Sequence, residues 1–153
     1  MTLIACDPGV AKDSAFAIFE DEKLVETFKS NDLFEINIKI GHKGYDYLVM
    51  EDQYLGLNTK TLKDLTRQSG RIMGIAELSS IETSTTLPII WQSYFKIPRK
   101  PKGTSQYKWG KQHKLDIIAE AEKLTGWKFT GDDDTASAVL IGLNFIGVTS
   151  ETK

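Results

Sequence analysis

Four apolar residues in a row, Leu3-Ile4-Ala5-Cys6, open the chain and give way at once to Asp7-Pro8-Gly9. An unbroken apolar run predicts a strand buried on both faces, as in the middle of a helix-covered sheet. Pro-Gly directly after it forces the chain to turn. Ser14 to Glu20 reads as a second strand, Asp21-Glu22 as a tight connection and Lys23 to Phe28 as a third strand, making an antiparallel meander. Asn31 and Asp32 are candidate caps for a short helix through Ile40, ended by Gly41. Asp46 to Met50 is a fourth apolar strand, and it too ends on an acid, Glu51.

The strongest helical pattern runs from Thr59 to about Ser80, where Leu62, Leu65, Ser69, Ile72, Met73 and Ala76 recur at three- and four-residue steps. Gly70 and Gly74 each cost about 1 kcal/mol relative to alanine inside a helix. They imply the close approach of a neighbouring helix or a nucleic-acid backbone. Leu87 to Gln92 predicts a fifth strand, which Pro88 restricts to a first-residue or edge role. Pro98 and Pro101 keep the next segment irregular, and helical spacing returns from Lys111 to Leu124. Lys128 to Thr130 is a loop or a short strand, and a last helix runs from Asp132 to about Gly147. There is no internal repeat or composition break, so residues 1–153 are expected to form one α/β domain.

Composition narrows the class. An apolar content of 41% and a charged content of 26% are those of a soluble globular chain, and no apolar run approaches membrane-spanning length. Met1-Thr2 leads straight into a strand without a signal peptide, so an intracellular, cytoplasmic protein is expected. The single cysteine, Cys6, lies within the first apolar strand and reads as a small core hydrophobe; two histidines, His42 and His113, give no basis for a zinc site.

The net charge of -2 is unevenly spread. Lys96, Arg99, Lys100, Lys102, Lys108, Lys111 and Lys114 fall between Glu82 and Asp116, a stretch without a single acid. A basic segment on an otherwise acidic body suits a phosphate-bearing partner. Tyr94, Phe95, Tyr107 and Trp109 interleave with these cations, which favours nucleic acid, whose bases stack on rings. Trp91 and Trp109 fit either a core or an interface.

The acids form a second pattern. Asp7 and Glu51 both terminate buried strands, and adjacent parallel strands would bring them out side by side. Asp132-Asp133-Asp134 stands at the start of the last helix, where one acid suffices for capping and three repel each other. Carboxylates without histidine make a hard oxygen donor set suited to Mg²⁺ or Mn²⁺. Two such ions, about 3.5–4 Å apart, are a known device for phosphodiester cleavage.

With these residues the chain resembles the RuvC-type Holliday junction resolvases, and more closely their short phage-borne relatives. The resemblance is most specific at Glu51-Asp52-Gln53-Tyr54-Leu55-Gly56-Leu57-Asn58, followed by Leu65 and Gly70. Asp7-Pro8-Gly9 after an apolar strand fits the family's first catalytic acid, and Lys111 after a basic loop resembles a family lysine serving the active site or the DNA. The resemblance implies a ribonuclease H-like fold with a five-stranded mixed sheet flanked by helices. It implies a Mg²⁺- or Mn²⁺-dependent endonuclease, with two ions, that cuts branched DNA, four-way junctions above all and three-way junctions as an open case. It also implies a homodimer built on the 59–80 helix, working in the host cytoplasm if the chain is phage-encoded.

Residue by residue, the resemblance makes Asp7, Glu51 and Asp134 metal ligands, with Asp132 and Asp133 as alternates of which one caps the helix. Tyr54 would stack on bases at the crossover and Asn58 would sit beside it. Lys111 would approach the scissile phosphate, while Lys96, Arg99, Lys100, Lys102 and Lys108 would hold backbone phosphates. One departure stands out. The family's last helix reads acid or histidine, two residues, Asp, Ala. Aligning on Ala138 puts Ser137 in the final acidic slot, whereas a shift of one turn puts Asp134 there and Gly131 in the earlier slot. Asp134 is a ligand candidate in both alignments. A non-cleaving junction binder of the same fold and a ribonuclease H-type nuclease are the alternative readings; an actin-like or sugar-kinase ATPase needs a longer, duplicated chain.

Overall fold

The opening apolar run takes the centre of a five-stranded sheet, as its pattern predicts. The computed structural model describes residues 1–52 and 58–152. In chain order the elements are β1 (Thr2–Asp7), β2 (Ser14–Glu20), β3 (Lys23–Ser30), α1 (Leu33–Ile40), β4 (Tyr47–Glu51), α2 (Thr59–Leu78), β5 (Glu82–Thr86), α3 (Pro88–Tyr94), α4 (Gln106–Thr125) and α5 (Asp133–Glu151). The strand order is β3-β2-β1-β4-β5. The first three strands form the expected antiparallel meander, and β4 and β5 add on parallel to β1. The β2–β3 hairpin turns on Asp21 and Glu22, both at positive φ (47° and 66°), the two-residue turn whose twist matches the strands.

Alternation along the strands divides the core in two. Ile4, Cys6, Phe16, Leu48 and Met50 face Ile36 and Ile40 of α1 and Ile72 and Ala76 of α2. Leu3, Ala5, Ala17, Phe19 and Val49 face the other layer, where α5 contributes Ala136 to Ile141, α3 contributes Trp91 and α4 contributes Ile117 and Ala121. Helix α5 is the central buried helix of that layer. A side-chain carbon at Gly142 would collide with the ring of Phe19, so glycine here lets α5 lie close on the sheet.

Two expectations are corrected. The segment from Leu87 to Gln92 is not the fifth strand: Pro88 to Tyr94 is helical, and β5 is the preceding Glu82-Thr83-Ser84-Thr85-Thr86. Proline at a helix start loses no hydrogen bond, because the first amides have no partner in any case. Strand β5 carries no large apolar side chain and earns its place as an edge strand through the backbone ladder to β4 and its β-branched threonines. Helix α4 begins at Gln106, not Lys111, because Ser105 caps it by accepting from the Lys108 amide at 3.2 Å. A side chain at Gly70 or Gly74 would meet nothing within 4 Å among the described residues, so packing within this chain does not call for either glycine. Residues 128–130 form a loop. Among the described residues no helix is long and apolar enough to cross a membrane.

Candidate active site

Parallel pairing of β1 and β4, with Cys6 opposite Met50, brings the next residues, Asp7 and Glu51, out of the same edge of the sheet. The turn after Asp7 is held by a polar network. Ser14 Oγ accepts from the Gly9 amide at 3.0 Å and donates to Asn31 Oδ1 at 2.7 Å. Asn31 Nδ2 in turn donates to the carbonyls of Gly9 (3.2 Å) and Lys12 (2.9 Å), and Gln68 Nε2 donates to Asn31 Oδ1 at 3.2 Å. Ser14 and Gln68 are buried, so the loop of residues 8–13 is tied to β2, β3 and α2 at once. Asn31 thus anchors the loop, while Asp32 alone caps α1.

The third arm is the N-terminus of α5. Asp132 is its cap: its carboxylate accepts from the Thr135 amide at 3.1 Å and the Thr135 hydroxyl at 2.7 Å, and from Lys29 Nζ at 3.1 Å. Asp134, in the first turn, lies 3.7 Å from Lys29 and 3.8 Å from Lys12, and Asp133 lies 3.7 Å from Lys114. A cleft of about 270 Å³ opens between residues 7–13 and Asp134.

Electrostatics separate the acids. Burial, then the charges of Glu51, Asp134 and Asp133, push Asp7 well above the usual carboxylate range against the opposing pull of Lys29. Glu51 is pushed up to about 7, mainly by burial and further by Asp134, while a bond from the indole of Trp91 (2.8 Å) works the other way. Asp132 moves downward: burial opposes its ionisation, but the bonds from Thr135 and the Lys29 ammonium outweigh that penalty. Asp7, Glu51 and Asp134 therefore share one field of mutual repulsion. Asp132 is committed to Thr135 and Lys29.

An all-carboxylate set whose members repel in a half-buried cleft is matched in chemistry by a hard divalent cation. Among the described residues no three acidic, histidine or cysteine side chains converge into a ready-made coordination shell. The donor set fits Mg²⁺ or Mn²⁺, and the side chains would have to close on it.

Other candidate residues lie at different distances from this cleft. Asn58 caps α2, accepting from the Thr61 amide at 2.9 Å. Lys111 Nζ sits 4.6 Å from the ring centre of Tyr107, one turn earlier on α4, and the cations paired with the acids are Lys12, Lys29 and Lys114. Lys96, Arg99, Lys100, Lys102 and Lys108 are exposed on α4's first turn and the irregular segment before it, with Arg99 Nη2 3.4 Å from Ser93 Oγ. Ser137 is buried in α5. Tyr54 lies outside the described residues. Sequence reasoning did not find Trp91, Lys29 or the Asn31–Ser14–Gln68 network. Trp91 depends on how α3 docks, and Lys29 depends on β3 running beside the start of α5, which no local pattern encodes.

No protein-family model and no curated protein matches the chain. Solved structures do. Over 99% of this chain and 96% of the other, the fold superposes with a TM-score of 0.71 and 12% identity on Thermus thermophilus RuvC in complex with a Holliday junction substrate. The fowlpox virus resolvase in complex with substrate Holliday junction DNA superposes with a TM-score of 0.64 at 21% identity, over 97% of this chain and 99% of that one. The fold is that of the RuvC and poxvirus resolvases, a mixed five-stranded sheet of the ribonuclease H-like kind between helical layers.

Proposed function

We propose that this chain is a divalent-metal-dependent endonuclease that binds branched DNA, such as a Holliday junction, and hydrolyses its phosphodiester backbone. The observation that carries the reading is that two parallel strand ends and a helix start bring Asp7, Glu51 and Asp134 within one another's electrostatic reach. The fold shared with two junction resolvases supports it. In this reading Asp7, Glu51 and Asp134 are the ligands, with Asp133 within reach of the same field and Asp132 holding the helix and Lys29 in place. When bound, Mg²⁺ or Mn²⁺ would supply the positive charge that activates a water and stabilises the leaving oxygen. Trp91 orients Glu51, and the Asn31 network holds the backbone after Asp7. The exposed cations from Lys96 to Lys111 would hold phosphates without reading sequence, so that affinity falls steeply with salt. Tyr54 and Asn58 would lie at the crossover.

The proposed enzyme is a homodimer, because strands of opposite polarity are cut across one junction. The bare Gly70–Gly74 face of α2 is the proposed contact.

The test is cleavage of a four-way junction in Mg²⁺ and in Mn²⁺, beside an RNA–DNA hybrid, by wild type and Asp7→Asn. The expected result is junction cleavage by wild type, none by the variant, and junction binding by both. Cleavage that survives in Asp7→Asn would remove Asp7 from the site. A second reading, a junction binder that does not cut, draws on the acids standing apart, with no converged shell among the described residues. A gel shift without nicks in either metal would favour it.

A further inference from the structure

Apart from the acidic cleft, a cavity of about 790 Å³ opens between α3, the basic segment and the start of α4. Its walls are of three kinds. Ile89 and Ile97 are among the apolar residues that line it, Trp109 and His113 stack with ring centres 4.4 Å apart, and Arg99 and Lys100 stand on its border. Among the described residues no acid lines it, and the sequence between Glu82 and Asp116 has none. Ile89 is 56% exposed, so apolar surface faces water here, and His113 Nδ1 is buried without a hydrogen-bond partner.

The cavity adjoins the acids along both helices. On α3, Gln92 and Ser93 line it while the preceding Trp91 donates to Glu51. On α4, His113 lines it while the following Lys114 pairs with Asp133. The acids and the hollow are thus built from neighbouring residues of the same two helices.

Size and chemistry restrict the occupant. Pockets of about 300–1,000 Å³ hold small molecules, and a duplex cannot enter one. An apolar and aromatic interior bordered by cations suits a group that is flat and apolar at one end and anionic at the other. We propose that the cavity seats one unstacked nucleotide of the branched DNA, with its base against the Trp109–His113 wall and its phosphate on Arg99 and Lys100. This rests on the branched-DNA reading above and adds a place for one nucleotide beside the scissile bond.

The test places 5-iodo-deoxyuridine singly at each position flanking the crossover of a four-way junction and irradiates the complex with the full-length protein in EDTA. The expected result is one position that cross-links to the peptide carrying Trp109 and His113. Ile89→Trp, which fills the hollow from its exposed side, should abolish that cross-link and weaken junction binding about tenfold, in line with the loss of one stacked base. Arg99→Ala with Lys100→Ala, both exposed, serves the same purpose if the tryptophan variant fails to fold, and should reduce the cross-link. A bound junction whose cross-links all map elsewhere overturns the pocket and leaves the nuclease reading standing. Unchanged cross-linking and affinity in a folded Ile89→Trp protein overturns it equally. Absence of any junction binding by wild type removes both.

Discussion

Trp91→Phe removes the indole N–H together with the five-membered ring that carries it, leaving a small void in the core. Trp91 is 1% exposed in the layer beneath α5, and its indole N–H donates to Glu51 Oε2 at 2.8 Å. Phenylalanine keeps an aromatic ring in the core but offers no donor. A hydrogen bond to a charged group contributes about 1.5–3 kcal/mol, all of it on the side of the ionised carboxylate. Glu51 already sits at about 7 because burial and the Asp134 charge oppose its ionisation. It therefore titrates near neutral pH in wild type, and without the indole its titration moves higher. Its folded value lies above the unfolded one, so its contribution to stability is present at low pH and is lost as pH rises through that value. Metal binding has the opposite sign, since a ligand must first lose its proton. The variant should bind Mn²⁺ about 10–100-fold more weakly at pH 7, the range found when a partner behind a ligand is lost. The deficit should narrow by pH 9. Mn²⁺ titration followed by electron paramagnetic resonance at several pH values measures it, with a thermal melt to show that the protein is folded. Equal affinities at pH 7, or a deficit independent of pH, would refute the role assigned to the indole.

Lys29→Met removes the ammonium that touches both Asp132 and Asp134; the protein should melt lower in EDTA and gain more from added Mn²⁺ than wild type does, as read by calorimetry. An equal gain in both proteins would show that Lys29 does not offset the acids. Gly142→Ala puts a methyl group into the ring of Phe19 and should cost about 1–3 kcal/mol, a fall of roughly 2–12 °C in Tm; an unchanged melt would mean that α5 packs less closely than described. At Gly74 a side-chain carbon would meet nothing within 4 Å among the described residues, so Gly74→Arg should leave Tm nearly unchanged while shifting sedimentation from dimer to monomer. A dimer that persists would take α2 out of the proposed contact.

Most of the sheet was legible because its central strands are apolar on both faces and its turns carry Pro-Gly or paired acids. The failures share a cause. Strand β5, with five polar residues, has nothing to bury and exists because β4 offers it a backbone edge; only tertiary context reveals such a strand. The apolar run Leu87-Pro-Ile-Ile-Trp91 looks like the better strand, yet it is the first turn of a helix that docks Trp91 beneath α5. The early start of α4 was hidden because its first turn buries no apolar side chain and Ser105 is its only local mark. For the site, the two strand-ending acids were legible from position. The choice among Asp132, Asp133 and Asp134 was not, since it turns on which of them faces Asp7 and which is used by the helix.

That choice has a physical logic in the shared lysine. Lys29 approaches Asp132 at 3.1 Å and Asp134 at 3.7 Å, and Asp132 is further held by two bonds from Thr135. The capping acid thus takes the closer share of the cation and has no reason to leave it. Asp134 keeps two long ion pairs, to Lys29 and to the mostly exposed Lys12, and its side chain is 26% exposed to the cleft. Long pairs to solvated ammonium groups contribute little. A dehydrated divalent ion facing Asp7 and Glu51 as well would displace them, and Lys29 need only settle fully on Asp132 for Asp134 to be released. The run of three acids then reads as a division of labour. Asp132 holds the helix and retains the lysine, while Asp133 and Asp134 keep only long ion pairs and both act on Asp7, with Asp134 the one that lines the cleft.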